Sequence, residues 1–493
     1  MDNVGRFFES PAANNDSIAV LERTAAGSRA TSYSSFHERV RRTAAVIATS
    51  CGPGERVAIY LPAGVGAYAA EMASLFCGRL FCPLETNHPI DRIVHCLEDF
   101  NPKLILTDSA GEDTLGGLRV PTVNVEDLEG AQIMTHEYGE SAYVIYTSGS
   151  TGLPKGVKVS RRSMDKFLDW SIPFYQVRPS ERWAQFSSLG FDLSLVDLLT
   201  CLLSGGTLVP VVATVDRLMP ARFVSEFSIS IWHSVPSVIP MLVRETVKAP
   251  EQLQSLRLAS FCGEPLFPQS VMSLLTPAPQ VQVVNTYGPT EGTFFCTSQP
   301  VDVALCAEII NSSLPIGDPI PGWAFDFAVG PDGDDLPELI LSSEYLSDGY
   351  ISATPDQAKF GMDTNTGLPF YRTGDLVRRV GDRVFFAQRA DNQVKISGNR
   401  LDLTEVEYHA LQFGATEAKA FTLSNSVFVA VAIPAGKTEE AMSQYFRAKL
   451  PVFAVPKDIL VRESLPRNAN AKIDTQALKE EVATKWKLHD PRP

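Results

Sequence analysis

The sequence predicts an α/β protein: a large N-terminal domain of layered sheets flanked by helices over residues 1–390, and a small α+β C-terminal domain over 391–493. Three observations predict it. At 493 residues the chain exceeds what one hydrophobic core organises, so two or more domains are expected. Short apolar runs at 56–61, 104–107, 230–234 and 281–285 alternate with helix-like segments, the pattern of mostly parallel sheets. Composition then shifts near residue 390: the part before it carries a net charge of −15, and the part after it +1. Between these regions, 338–342 and 376–386 read as shorter antiparallel strands with Gly-Asp turns.

Hydrophobic content of 44% with 20% charged residues is that of an ordinary globular protein. A net charge of −14 argues against general nucleic-acid binding. No apolar run approaches the roughly 20 residues a membrane helix needs, and the N-terminus lacks a signal-peptide profile. Eight cysteines lie scattered, without CxxC pairs or neighbouring histidines, so neither zinc nor a disulfide framework is expected and a reducing cytoplasm is.

Chemistry concentrates first in residues 142–160. A β-rich run at 143–146 yields to ten residues with three glycines and four hydroxyls, and a second β-rich run follows at 157–159. Strand, loop, strand is the reading. Few bulky side chains stand on the loop, so its N–H groups can approach an anion; Thr147, Ser148, Ser150 and Thr151 add hydroxyls, and Lys155 adds charge. These groups suit a nucleotide's phosphates. A Walker A loop is excluded, because Gly156 rather than Ser or Thr follows Lys155 and a strand follows the loop.

Four further constellations follow. In Asn285-Thr286-Tyr287-Gly288-Pro289-Thr290-Glu291, after an apolar strand, Tyr287 offers a ring for a base, Thr290 a hydroxyl for phosphate and Glu291 an oxygen ligand for Mg²⁺. In Tyr371-Arg372-Thr373-Gly374-Asp375, Asp375 reads as a carboxylate on a tight turn, able to accept two ribose hydroxyls. The segment from Arg389 to Arg400, followed by Glu405-Val406-Glu407, falls where composition changes. A loop near the end of the chain, 465–474, carries Lys472.

Together these motifs, including Thr147-Ser148-Gly149-Ser150-Thr151-Gly152-Leu153-Pro154-Lys155-Gly156, resemble those of the adenylate-forming superfamily, which includes acyl- and aryl-CoA ligases, luciferases and nonribosomal adenylation domains. The resemblance spans about residues 10–480. It implies ATP and Mg²⁺ as cofactors, with Thr147, Glu291 and Lys472 catalytic and Glu291 the metal ligand. Nucleotide contacts are implied at Thr147, Ser148, Gly149, Ser150, Thr151, Lys155, Gly263, Glu264, Asn285, Thr286, Tyr287, Gly288, Thr290, Asp375, Arg389 and Lys472. It further implies a mobile C-terminal domain that pivots at Asp391 and brings Gly398 to line the thiol channel. Two positions depart from the pattern: Gln388 and Ala471 stand where glycines are usual.

Asp192 sits in an apolar stretch, where a carboxylate is costly unless a cation neutralises it or it caps a helix. In amino-acid-activating relatives an aspartate at this place meets the substrate's α-ammonium. By the same resemblance the side-chain pocket falls on Leu193, Val196, His233, Ser260, Cys262, Thr286, Phe294 and Phe295. These include no charged partner for a substrate side chain, and two phenylalanines consume volume, so a small neutral amino acid is expected. The runs 261–264 and 285–291 look most like stand-alone D-alanine:carrier-protein ligases, so alanine is the leading substrate. About 20 residues follow Lys472, too few for a fused carrier domain, so the expected acceptor is a phosphopantetheine on a separate acyl or peptidyl carrier protein. A ligase using free CoA and an inactive binding homologue are the alternatives.

Overall fold

The computed structural model describes residues 2–9, 16–25, 27–128, 134–149, 151–179, 181–310, 312–330, 336–396, 398–433, 437–467 and 473–486. Two large sheets form the first part. One has nine strands in the order Asp318–Pro319, Thr297–Val301, Gln282–Tyr287, Leu258–Cys262, Ile231–Ser234, Arg182–Gln185, Thr207–Pro210, Ile18–Thr24 and Gly27–Ser32. The six from Gln282–Tyr287 to Ile18–Thr24 are parallel, and the outer pairings are antiparallel. The other has six strands in the order Thr122–Asn124, Leu104–Thr107, Arg56–Tyr60, Leu80–Pro83, Ser141–Thr147 and Lys155–Ser160; only its last pairing is antiparallel. The apolar runs of the sequence are thus interior strands, buried on both faces as parallel strands are.

Two helices, Val65–Phe76 and Asp192–Leu203, are buried almost around their whole circumference. A helix apolar on all sides belongs inside a protein. Both lie in one hydrophobic cluster with strands of the two sheets, including Val57, Phe81, Tyr143, Trp183, Leu208 and Ile231. The core is therefore a layer shared between sheets. It fixes Asp192, the first residue of the second helix, at the strand ends where α/β proteins open their clefts.

A third sheet carries Ala324–Ala328, Glu338–Ser342, Pro369–Val380 and Phe360–Met362, with Arg383–Arg389 paired to Pro369–Val380. Here the structure corrects one expectation: Asp375 is not on a tight turn but inside the strand Pro369–Val380, opposite Arg389. The reversal falls later, at Gly381, where φ is +60°. The β-forming residues around Asp375 favour strand, and the cross-strand arginine neutralises its charge there.

Beyond residue 392 come a hairpin of Gln393–Ile396 with Asn399–Asp402, a three-stranded sheet of Glu417–Leu423, Ser426–Ala432 and Asp458–Arg462, and helices Leu403–Phe413, Glu439–Lys449 and Thr475–Trp486. Two hydrophobic clusters draw only on this part. Asp402 caps the helix Leu403–Phe413 by accepting from the Thr404 N–H at 3.1 Å, and Gly414 ends it in a left-handed conformation. None of the described helices is long and apolar enough to cross a membrane.

Candidate active site

A cavity of about 800 Å³ separates the strand ends of the nine-stranded sheet from the C-terminal hairpin. Asp192, Leu193, Cys262, Gly263, Glu264, Asn285, Thr286, Tyr287, Gly288, Thr290, Phe294, Thr147 and Ser148 line it from the first part of the chain, with Asp375, Arg389 and Asp391 beside them. Lys395, Asn399 and Arg400 line it from the hairpin. Residues more than 200 positions apart are brought to one chamber.

Asp192 is 4% exposed, and its Oδ2 has no hydrogen-bond partner. The helix cap is Phe191, so capping does not explain the carboxylate. Burial pushes its pKa up to about 7, opposed by a hydrogen bond from Thr290 and reinforced by the charge of Glu291. Thr147 is a second orphan: its hydroxyl is buried and unpartnered, and the residue lines the same chamber. Unsatisfied buried polar atoms are costly, and a ligand that bonds to them removes the cost.

Glu291 contrasts with both. It is fully buried, and its Oε1 accepts from the Tyr350 hydroxyl at 2.7 Å while its Oε2 accepts from Arg400 at 2.7 Å. Burial opposes its charge, but Arg400 and Lys155 hold it well below the usual carboxylate range. Lys155 itself turns inward. Its ammonium donates to Asp356 at 2.8 Å and to the Tyr350 hydroxyl at 3.0 Å, lies 3.7 Å from Glu291, and is absent from the cavity wall.

The loop after Thr147 is held by the C-terminal part. The Ser148 hydroxyl donates to the Arg400 carbonyl at 3.0 Å and accepts from the Asp402 N–H at 2.8 Å. A side chain at Gly152 would collide with Tyr408. Gly149 and Thr151 do not reach the cavity; Ser150 and Lys472 lie outside the described residues. Across the chamber, the Gly398 N–H donates to Glu264 at 2.7 Å, and Arg92 pairs with Glu405. A side chain at Gly398, where φ is +81°, would overlap Val235. Only glycine permits this approach.

On the wall formed by the third sheet, Tyr287 donates from its hydroxyl to Asp375, and Arg389 binds Asp375 at 2.8 Å and Asp391 at 2.6 Å. Phe294 packs on Tyr143 and Phe167, and Phe295 on Phe167, Trp170 and His233. Val196, His233, Ser260 and Phe295 consequently do not line the cavity. His233 is bonded instead to Asp197 at 2.8 Å, and Ser260 to the Tyr175 hydroxyl at 3.1 Å. Tyr350 and Asp356 carried no signal in the sequence. Lys395 and Arg400 did, since both lie within the motif quoted there, but a strand pattern does not say which face meets a cleft 100 residues away.

The model of the AMP-binding enzyme family matches residues 7–350. This chain belongs to that family. It is similar to the D-alanine--D-alanyl carrier protein ligase of Bacillus licheniformis, 31% identical over 83% of this chain and 86% of that one. The L-proline--[L-prolyl-carrier protein] ligase of Pseudomonas fluorescens is 29% identical over 92% and 94%. Among solved structures, the Vibrio cholerae adenylation domain AlmE in complex with glycyl-adenosine-5'-phosphate superposes with a TM-score of 0.84 at 25% identity, covering 98% of this chain and 97% of that one.

The protein is accordingly an adenylate-forming ligase that uses ATP with Mg²⁺. A hard cation takes oxygen ligands, and Glu291 offers one ionised carboxylate. Arg400 now occupies one oxygen of that carboxylate. Glu291 would hold Mg²⁺ once Arg400 withdraws.

Proposed function

We propose that the protein activates a small neutral amino acid, alanine first and glycine next, as its adenylate and transfers the acyl group to the phosphopantetheine thiol of a separate carrier protein. The observation that carries this reading is the buried Asp192 carboxylate on the cavity wall, whose Oδ2 has no hydrogen-bond partner. A substrate ammonium supplies the missing cation, which a simple carboxylic acid lacks. Phe294 lines the cavity and Phe295 packs behind it on Phe167, so bulky rings occupy this end and favour a small side chain. The names of the similar ligases and the glycyl-adenylate in AlmE agree with a small amino acid.

In this reading the amino-acid carboxylate attacks the α-phosphorus of ATP and pyrophosphate leaves. The nucleophile is already ionised, so the protein's task is positioning and charge neutralisation. Tyr287, Asn285 and Thr286 border the adenine, Asp375 with Arg389 the ribose, and Thr147 the phosphates; Lys472 bridges the attacking carboxylate and the α-phosphate. Mg²⁺, when bound, offsets phosphate charge. Residues 1–390 and 391–493 act as two domains pivoting at Asp391, and the docking of Gly398 on Glu264 corresponds to the arrangement that receives the thiol. The cavity lining also takes in Phe267, Phe421 and Phe453 together with Lys419, Thr422 and Lys479, a mixed wall that the pantetheine arm would follow. Eight free, buried cysteines suit a reducing cytoplasm.

The test is amino-acid-dependent ATP–pyrophosphate exchange across L- and D-amino acids, followed by thioester formation on offered holo-carrier and, side by side, on CoA. Exchange with alanine or glycine and loading of the carrier are expected. Exchange only with large or charged amino acids would overturn the pocket assignment, and loading of CoA alone would overturn the carrier.

A further inference from the structure

Lys155 is the cation of the hydroxyl-rich loop, yet its ammonium faces two carboxylates. Asp356 stands at 2.8 Å and Glu291 at 3.7 Å, and the Tyr350 hydroxyl accepts from it at 3.0 Å. All three charged side chains are buried. Each carboxylate leads on to the start of the C-terminal part. Glu291 leads there through Arg400 of the hairpin, at 2.7 Å. Asp356 leads there through Lys359, whose ammonium lies 3.5 Å from the second Asp356 oxygen and 3.3 Å from Asp391.

Local geometry sets the second route. Pro355–Lys359 is a short 3-10 turn, capped by the Thr354 hydroxyl, which accepts from the Asp356 N–H at 3.4 Å. Side chains three apart in such a turn eclipse one another, so Asp356 and Lys359 share a face. Asp391 is also gripped by Arg389, through Nε at 2.9 Å and Nη2 at 2.6 Å, and Arg389 continues to Asp375 at 2.8 Å. Charges therefore alternate from Lys155 through Asp356, Lys359, Asp391 and Arg389 to Asp375. Every member is neutralised by its neighbours, so a change at one end is felt along the series. Burial raises the pKa of Asp391, and Arg389 and then Lys359 hold it below the usual carboxylate range. Arg389 is only two residues from Asp391, whereas Lys359 is 32 residues away. Lys359 thus ties Asp391 to a distant element of the first part.

We propose that Asp356 and Lys359 are positioning residues: Asp356 competes with the phosphates of ATP for Lys155, and Lys359 passes the outcome to Asp391. This rests on the ligase reading above and on its pivot at Asp391. Phosphate oxygens beside the loop draw the ammonium of Lys155 outward. Asp356 then loses the cation at 2.8 Å and draws Lys359 closer. Lys359 turns away from Asp391, which keeps its grip on Arg389, a neighbour in sequence. The pivot therefore loses its tie to Pro355–Lys359 while phosphates are bound and regains it when pyrophosphate has left. The docked hairpin, which receives the thiol, is favoured only in the second state.

Fluorophores on Val247→Cys and Val452→Cys report how the two parts sit, since both positions are 85% exposed and the eight native cysteines are buried. Energy transfer between them is read with α,β-methylene-ATP and Mg²⁺, and with adenosine as the phosphate-free control. The labelled parent should respond to the ATP analogue and not to adenosine. Lys359→Met should shift the signal of the free enzyme part-way toward the analogue-bound value. Lys359→Arg should keep the parent's signal, because it keeps the charge. Asp356→Asn should lower the Kd of the ATP analogue about threefold, since Lys155 is released to the phosphates, and leave that of adenosine unchanged. A merely structural loss would raise it. Single-turnover thiol transfer from preformed adenylate should fall about three- to fivefold in Lys359→Met, the range a partly exposed ion pair commands, and pyrophosphate exchange less than about twofold. A Kd that rises or stays the same in Asp356→Asn, a free-enzyme signal identical in Lys359→Met and the parent, or a parent unmoved by the analogue would overturn the assignment. A parent that responds to the analogue yet exchanges pyrophosphate with no amino acid would sink the amino-acid reading and leave this one standing.

Discussion

Two buried carboxylates, Asp192 on the wall of the chamber and Glu291 off it, sit in opposite states. Asp192 and Glu291 are both withdrawn from solvent, and burial pushes the pKa of each upward. Asp192 has no cation in contact, so it rises to about 7. Glu291 is met by Arg400, Lys155 and the Tyr350 hydroxyl, and falls. Partner supply, not depth, separates them. Glu291 is met by a cation from the C-terminal hairpin, whereas the Asp192 carboxylate is not. In the proposed reading the substrate's amino group goes to Asp192, and the state of Glu291 depends on where that hairpin stands.

The largest effect should come from removing the unpartnered charge. Asp192→Asn should raise the KM of the amino acid by 100-fold or more in pyrophosphate exchange, about 3 kcal/mol, because the substrate's ammonium is then buried without its counter-ion. An unchanged KM would move the ammonium site elsewhere. Arg400→Met tests the other member of the pair. Thioester formation should fall roughly 30-fold, about 2 kcal/mol, since the docked hairpin leaves Glu291 short of a partner. The Mg²⁺ concentration for half-maximal exchange should fall too, because a competitor for that carboxylate is gone; a rise would contradict mutual exclusion. The smallest effect concerns the floor between them. Phe294→Gly suits the positive φ of +68° at this position and should shift the valine-to-alanine preference by about 10-fold, at the lower end of the roughly 1–3 kcal/mol that pocket volume commands.

Much of the fold was legible because it is local. Apolar runs at 56–61 and 104–107 are interior parallel strands, and the hydroxyl-rich loop does join the two strands Ser141–Thr147 and Lys155–Ser160. Residues that meet the chamber directly, such as Asp192, Tyr287 and Asp375, were legible from motif spacing. What escaped depends on distant partners. Lys155 reads as a free charge on its loop, yet Asp356 and Tyr350, two hundred residues on, draw it inward. Asp375 reads as a turn residue until Arg389 stands opposite it across the strand pair. Val196, His233 and Ser260 sit at pocket positions by resemblance but do not line the cavity: Phe295 and Asp197 hold His233, Tyr175 holds Ser260, and such packing is not written in any one segment.

The contrast between the two carboxylates is tested most directly by the pH dependence of kcat/KM for the amino acid. Below its raised pKa Asp192 carries a proton, which the substrate's ammonium must displace. Affinity therefore falls as pH falls through about 7, although the ammonium itself stays charged. The account predicts that kcat/KM drops close to tenfold per pH unit below about 7 and levels above it, and that Asp192→Asn abolishes this slope. A wild-type profile that stays flat from about pH 5.5 to about 8 would contradict it.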